Sequence, residues 1–95
     1  MALVLLEAVA KPESVGTLKE MLAARLPETR AYEGCQGITP HLNDDGRTFV
    51  FVEHWDSVEH YEKYLAWRTE TGVLAELSAL LEDDPSIRYF EAVDA

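Results

Sequence analysis

The chain contains 95 residues, of which 47% are hydrophobic and 27% are charged, a composition typical of a globular domain and not of a disordered segment. Eight Lys and Arg residues against 18 Asp and Glu residues give a net charge of −10. Because a phosphate backbone is bound by neutralising its charge, nucleic acid is a poor partner, and an anionic membrane surface is disfavoured for the same reason. The single cysteine, Cys35, excludes an internal disulfide and a multi-cysteine metal cluster.

The apolar N-terminal stretch MALVLLEAVA does not have the layout of a signal peptide or a membrane anchor. It lacks a basic region, Glu7 interrupts it, and it is too short to span a bilayer. No linker or repeat divides the chain. We therefore expect a cytoplasmic protein in which residues 1–95 form a single domain.

The first predicted element is a strand over residues 3–10, which is short for a helix and apolar on both faces. A helix over residues 13–26 follows it, and Pro12 suits its first turn. Its apolar residues recur at helical spacing and are Val15, Leu18, Leu22 and Leu26. Residues 27–37 are expected to be irregular.

A hairpin is predicted in the middle of the chain. Residues 38–43 form its first strand, which Pro40 places at a sheet edge or a bulge. The Asn-Asp-Asp-Gly turn at residues 43–46 tolerates positive φ angles and leads into a second strand over residues 48–55.

A second helix is predicted to begin at Asp56, with Glu59 three residues later in a capping-box pattern. Its buried face is expected to carry Val58, Tyr61, Tyr64 or Leu65, and Arg68. A short third helix over residues 73–81 and a last strand over residues 86–92 complete the order β-α-β-β-α-α-β.

This order predicts an α+β fold of the ferredoxin-like class, a split βαβ arrangement with helices on one face of an antiparallel sheet. The first and third strands are apolar on both faces. The apolar side chains on the second face of the sheet therefore need to be buried by a surface that the chain itself does not supply. We expect a homodimer in which two copies close their sheets face to face.

The candidate site lies on the third strand, one face of which presents Phe49, Phe51, Glu53 and Trp55. In one interpretation the aromatic residues are core and Glu53 reaches water or an arginine near the strand end. In the other they line a pocket for a small molecule, where burial raises the pKa of Glu53 and lets it act as a general base. Glu7, on the first strand, is a second carboxylate candidate of lower weight.

Tyr61, Tyr64 and Trp67 are spaced at i, i+3 and i+6 on the second helix. Such a stripe is more often core than ligand site, but aromatic residues on two adjoining elements favour a pocket for a flat aromatic ligand. No metal site is expected, because the three histidines lie on different elements without ligand spacing; they are His41, His54 and His60.

The segment Phe-Val-Phe-Val-Glu-His-Trp-Asp-Ser at residues 49–57, with Gly34-Cys35 before it and Tyr61 and Tyr64 after it, resembles the antibiotic biosynthesis monooxygenase (ABM) family. The resemblance covers roughly residues 2–92. It implies a dimeric α+β barrel of two ferredoxin-like protomers, with a pocket between each sheet and its helices. Family members include oxygenases that oxidise anthrones, quinols and related electron-rich aromatics without flavin, metal or haem, so no cofactor is expected.

Carried over from the family, Trp55 matches a pocket tryptophan of the anthrone-oxidising members and Tyr61 matches a pocket tyrosine. Those enzymes have an asparagine where this chain has Phe51, which removes a hydrogen-bond donor and argues against anthrone itself. Our hypothesis is that Glu53 partly replaces that asparagine and acts as a base. Haem-degrading relatives need a histidine on a late helix and an asparagine on the first strand, and this chain has neither.

The sequence thus predicts a cofactor-independent monooxygenase acting on a quinol or related small aromatic, with Glu53, Trp55 and Tyr61 as catalytic residues. The predicted substrate-binding residues are Phe49, Phe51, Tyr64, Glu7 and Trp67. Two alternatives remain open. One is a non-catalytic dimeric module that binds a small aromatic or serves a stress or regulatory role. The other is an isomerase or dehydratase that uses the same acid-base residues without consuming O₂.

Overall fold

Four strands form one antiparallel sheet in the computed structural model, which describes residues 1–95. The strands are β1 (Ala2–Val9), β2 (Cys35–Leu42), β3 (Thr48–Trp55) and β4 (Ser86–Phe90), in the order β2-β3-β1-β4 across the sheet. The helices are α1 (Val15–Arg30), preceded by a 3-10 turn at Pro12–Ser14, then α2 (Val58–Glu70) and α3 (Val73–Ser78). The predicted element order and the ferredoxin-like α+β class are confirmed.

The two faces of the sheet are buried to different extents. Successive side chains on a strand point to opposite faces, and the helix side of β1 and β3 is buried: Val4, Leu6, Ala8, Phe49, Phe51, Glu53 and Trp55. On the opposite face the apolar side chains are only half-buried in the single chain, and these are Leu3, Leu5, Val9, Val50 and Val52. An apolar face of this kind is what a partner surface would cover.

The core consists of two clusters between the sheet and the helices. The larger one joins the apolar stripe of α1, including Leu18 and Leu22, to Phe49 and Phe51 on β3. The smaller one contains Val4, Trp55, Tyr61 and Tyr64. None of the helices is both long enough and apolar enough to span a lipid bilayer.

Helix α1 continues through Pro27 to Arg30, beyond its predicted end at residue 26. A proline inside a helix leaves the carbonyl four residues earlier without its N–H partner. Here that carbonyl belongs to Ala23, which is exposed, so water can hydrate it. Thr29 is completely buried and fixes the last turn. The prediction that residues 27–37 are irregular is therefore wrong at its start, and β2 also begins earlier than predicted, at Cys35.

Helix α2 is capped by Ser57 and not by Asp56. The Ser57 side chain accepts a hydrogen bond from the backbone N–H of His60 across 3.1 Å, which is the usual N-cap contact. The Asp56 carboxylate accepts instead from the side-chain amide of Gln36, across 2.7 Å. The buried face of α2 carries Tyr61, Tyr64 and Arg68, as predicted.

Candidate functional site

A narrow apolar cavity of about 60 Å³ lies between the sheet and all three helices and opens to solvent. Twelve of its 15 lining residues are hydrophobic. The three charged ones are Glu53 on β3, Arg25 on α1 and Arg68 on α2. An apolar pocket with a few convergent polar groups is the usual form of a small-molecule site.

Glu53 forms part of the sheet floor of this cavity. Its side chain points toward the helices, and the residue is 2% exposed. Burial raises the pKa of the Glu53 carboxyl to about 7, although the hydrogen bond from Trp55 acts in the opposite direction. A carboxyl group with a pKa near neutrality can both accept and return a proton under physiological conditions.

The Trp55 and Tyr61 side chains are packed against each other beside Glu53. Both are almost completely buried, and their ring centroids lie 5.5 Å apart in an edge-to-face arrangement. Tyr61 lines the cavity, whereas Trp55 lies behind the wall and donates its indole N–H to Glu53. Burial, followed by the nearby Glu53 charge, raises the pKa of the Tyr61 phenol. Tyr61 therefore stays neutral and can donate a hydrogen bond.

A buried hydrogen-bond network joins Tyr64 to α1. The Tyr64 hydroxyl lies 2.6 Å from the Thr29 hydroxyl and accepts a hydrogen bond from Nε of Arg68 across 2.9 Å. Nη2 of Arg68 donates to the Thr29 hydroxyl and to the backbone carbonyl of Arg25, across 3.0 and 2.9 Å. These bonds tie α2 to α1 along one wall of the cavity.

Arg68 is the main site residue that sequence reasoning missed. The sequence placed it on the buried face of α2 but assigned it no role. The sequence did contain an indication of its role. An arginine four residues after Tyr64, on the buried face of a helix, needs polar partners in the interior. Thr29 could not be found in this way, because it lies in the segment predicted to be irregular.

The structure brings most of the predicted site residues together, but not all of them. Phe51 and Tyr64 line the cavity with Glu53 and Tyr61. Phe49 belongs to the core and contacts a separate groove between α1 and β2. Trp67 is half-buried outside the cavity and stacks on Tyr32, with 5.2 Å between ring centroids.

Glu7 does not reach this cavity, contrary to the prediction. In the β1–β3 register Val4 lies opposite Glu53 and Glu7 lies opposite Val50. Only the even-numbered residues of β1 therefore share the face of Glu53, and Glu7 is exposed on the other face.

No group of three or more His, Cys, Asp and Glu side chains is placed to hold a metal ion. His54 is exposed on the face opposite Glu53. His60 lies at the start of α2, where its Nδ1 is 2.6 Å from the Ser57 hydroxyl. The histidines are thus on separate parts of the surface, away from the cavity.

The model of the antibiotic biosynthesis monooxygenase family matches residues 1–80, and no curated protein matches the sequence. The crystal structure of an antibiotic biosynthesis monooxygenase has a TM-score of 0.88 at 20% identity and covers 99% of this chain and 100% of its own. A Deinococcus radiodurans protein named for the same family has a TM-score of 0.84 at 25% identity, with 100% and 95% coverage.

A third solved structure, that of Rv0793 from Mycobacterium tuberculosis, has a TM-score of 0.78 at 22% identity and covers 99% of this chain and 96% of its own. These similarities extend over essentially the whole fold, and the family match covers 80 of the 95 residues. The chain belongs to the antibiotic biosynthesis monooxygenase family.

Proposed function

We propose that the protein is a cofactor-independent monooxygenase that oxidises a quinol or a related electron-rich aromatic with O₂. The observation that carries this proposal is the Glu53 carboxyl group, which is buried at the floor of an apolar cavity with a pKa of about 7. Family membership supports monooxygenase activity at the level of the family. Glu53 is the proton acceptor that such a reaction needs.

The proposed reaction balances without an added reductant. Glu53 takes the phenolic proton, and the resulting anion, which has carbanion character at a ring carbon, passes one electron to O₂. The two radicals combine to form a C–O bond, and Glu53 returns its proton to the peroxide. Loss of the proton on that carbon and cleavage of the O–O bond release water and leave a carbonyl. One oxygen atom enters the product, and the ring supplies all four electrons.

The cavity walls support this chemistry by excluding water. Apolar side chains such as Phe51 and Leu65 surround the site, and a water-poor pocket strengthens the electrostatic interactions within it. Tyr61, which burial keeps neutral, donates a hydrogen bond to the oxygen on which negative charge develops. Trp55 holds Glu53 in place through its indole N–H.

The proposal includes a homodimer. The supporting observation is the half-buried apolar face of the sheet, where Leu3, Leu5 and Val52 have no cover within the single chain. Two such faces would pack against each other through an identical surface on each copy. Sedimentation equilibrium tests this directly: a species of twice the chain mass is expected, and a monomer at all concentrations contradicts it.

The decisive experiment is oxygen uptake by the purified protein against hydroquinones, naphthols and anthrones, with no added cofactor. We expect uptake that saturates with substrate and falls by about a hundredfold or more in Glu53→Gln. Glu59→Gln is the matched control, because Glu59 is exposed on α2, and it should retain full activity. Uptake no faster than the non-enzymatic reaction across the panel would overturn the proposal.

A non-oxidative isomerase or dehydratase is a second candidate. The observation that favours it is Phe51, an apolar side chain at the cavity wall in the position where the anthrone-oxidising members carry an asparagine. The Glu53 carboxyl would then move a proton between two substrate atoms. Conversion of a panel substrate without loss of O₂ distinguishes this reaction, and binding without any conversion would indicate a binding module.

A further inference from the structure

Arg68 is a positively charged residue that is almost completely buried. It is 4% exposed and lines the same cavity as Glu53. Three of its five N–H groups are occupied within the protein. Nε donates to the Tyr64 hydroxyl, and Nη2 donates to the Thr29 hydroxyl and to the carbonyl of Arg25. These bonds fix the plane of the guanidinium group.

The two N–H groups on Nη1 make no protein hydrogen bond. The nearest anion is Oε1 of Glu28 at 3.6 Å, beyond the 2.7–2.9 Å typical of a charge-assisted hydrogen bond. The Glu28 side chain is itself 50% exposed, so water competes for it. Because every buried side-chain nitrogen and oxygen in the protein has a partner, Nη1 must keep some accessible surface.

The guanidinium group of Arg68 also packs against two aromatic rings. Its central carbon lies 4.5 Å from the Trp67 ring centroid and 5.4 Å from that of Tyr64. The N–H groups of Arg68 that remain for a ligand are the two on Nη1. That geometry suits a carboxylate, whose oxygens lie in the plane of the N–H groups that they accept from.

The distribution of charge agrees with an anionic ligand. The chain carries 8 basic against 18 acidic residues, yet both Arg25 and Arg68 line this one cavity. Arg25 lies at the rim, where Nη2 pairs with Glu76 across 3.1 Å. Both arginines also lie near Oε1 of Glu28, at 3.8 Å for Arg25 and 3.6 Å for Arg68, and neither forms an ion pair with Glu53. The helix wall of the cavity therefore carries the two arginines, and its sheet floor carries the Glu53 carboxyl group.

We propose that the cavity binds an aromatic acid, with its carboxylate on Nη1 of Arg68 and its aromatic body among the apolar side chains. The proposal deepens the proposed function and rests on it only for the aromatic body of the ligand. Arg68 anchors one end of the substrate, and the group that gives up a proton is thereby directed to the sheet floor. Arg68 is thus a specificity-determining residue for that site.

The test compares the binding of hydroxynaphthoate with that of its methyl ester, which has the same aromatic body without the charge. By isothermal titration calorimetry at neutral pH, the acid should bind the wild-type protein about ten- to hundredfold more tightly than the ester. Arg68→Gln should abolish that preference while leaving the ester affinity within about twofold. Arg30→Gln, which changes an exposed arginine on α1, should keep the preference for the acid.

Equal affinities of acid and ester for the wild-type protein would overturn the proposal, even if Arg68→Gln does not fold. Loss of the preference in Arg25→Gln but not in Arg68→Gln would also overturn it, because the rim arginine would then hold the carboxylate. The proposed function is tested separately. If the protein binds the acid tightly but takes up no O₂, the oxygenase proposal is overturned and the carboxylate site on Arg68 stands. If the protein takes up O₂ but shows no preference for the acid, the carboxylate site is overturned and the oxygenase proposal stands.

Discussion

The indole N–H of Trp55 donates a hydrogen bond to Oε1 of Glu53 across 3.1 Å. The two residues are two positions apart on β3 and therefore share a face of the sheet. The hydrogen bond stabilises the ionised carboxylate, while burial favours the neutral acid. Burial is the larger effect, and the pKa of Glu53 rises to about 7. Trp55 thus limits the rise of the Glu53 pKa, which stays near neutrality.

Trp55→Phe should shift the pH dependence of turnover to higher pH. The variant removes the hydrogen bond that lowers the pKa of Glu53, so the carboxyl group should ionise only at higher pH. A hydrogen bond to a charged group contributes about 1.5 kcal/mol, which corresponds to roughly one pH unit. The measurement is the pH profile of oxygen uptake, and an unmoved profile with a lower plateau would contradict this role for Trp55.

Glu53 should make the folded state less stable as the pH rises. Its pKa is about 7 in the folded protein and 4.5 as the ordinary value, so the folded state binds the proton more tightly than the unfolded state. The free energy of unfolding therefore falls progressively as the pH rises from 4.5 to about 7, with a total loss of about 3 kcal/mol.

Urea unfolding of the wild type and Glu53→Gln at a pH just below 4.5 and at a mildly basic pH measures this effect. The difference between the two proteins cancels the contributions of other titrating groups. The wild type should lose stability relative to the variant on going to basic pH. A constant difference between the two proteins would show that Glu53 ionises normally.

Tyr64→Phe should destabilise the protein by about 1–3 kcal/mol, because the Thr29 hydroxyl and Nε of Arg68 would each lose a buried hydrogen-bond partner. Tyr89→Phe is the matched control. Tyr89 is 43% exposed, and its change should cost less than about 0.5 kcal/mol. Equal unfolding midpoints for the two variants would mean that the network does not hold α2 to α1.

Gly34→Ala should destabilise the turn before β2 for two reasons. Gly34 has a φ angle of +90°, and an added Cβ would lie 2.5 Å from Cδ2 and 2.7 Å from Cβ of His60. The backbone conformation alone costs a residue with a Cβ about 1–3 kcal/mol. By contrast, Gly16→Ala meets no atom within 4 Å and should stabilise α1 by about 0.5–1 kcal/mol. Thermal unfolding should therefore move in opposite directions for the two variants.

The sequence predicted best those elements whose pattern is local. The alternation in Thr48–Trp55 predicted β3 and placed Glu53, Phe51 and Trp55 on one face, and the structure has the same bounds and the same face. The end of α1 was mispredicted because a proline inside a helix costs a hydrogen bond and a steric clash. The buried hydrogen bonds of Thr29 with Tyr64 and Arg68, which hold the last turn of α1, are tertiary contacts that the local sequence does not show.

The parts of the site that the sequence could not predict depend on contacts between distant segments. Thr29, Tyr64 and Arg68 meet only because α1 and α2 pack side by side on the sheet. Glu7 was placed too close to the site because the face of a strand residue depends on its register with the neighbouring strand. The β1–β3 pairing, with Val4 opposite Glu53, fixes that register.

Pro40 bears on how the protein behaves at high concentration. The backbone N–H of Asn43 points toward β3, since it donates to the carbonyl of Thr48, and inward and outward positions alternate along an antiparallel strand. With Pro40 opposite Phe51 and no irregularity between residues 40 and 43, the Pro40 nitrogen faces away from β3. The proline therefore costs the sheet no hydrogen bond and removes a donor from the free edge of β2. That edge therefore offers one backbone donor fewer to a further strand, a feature that disfavours pairing between the edges of two sheets.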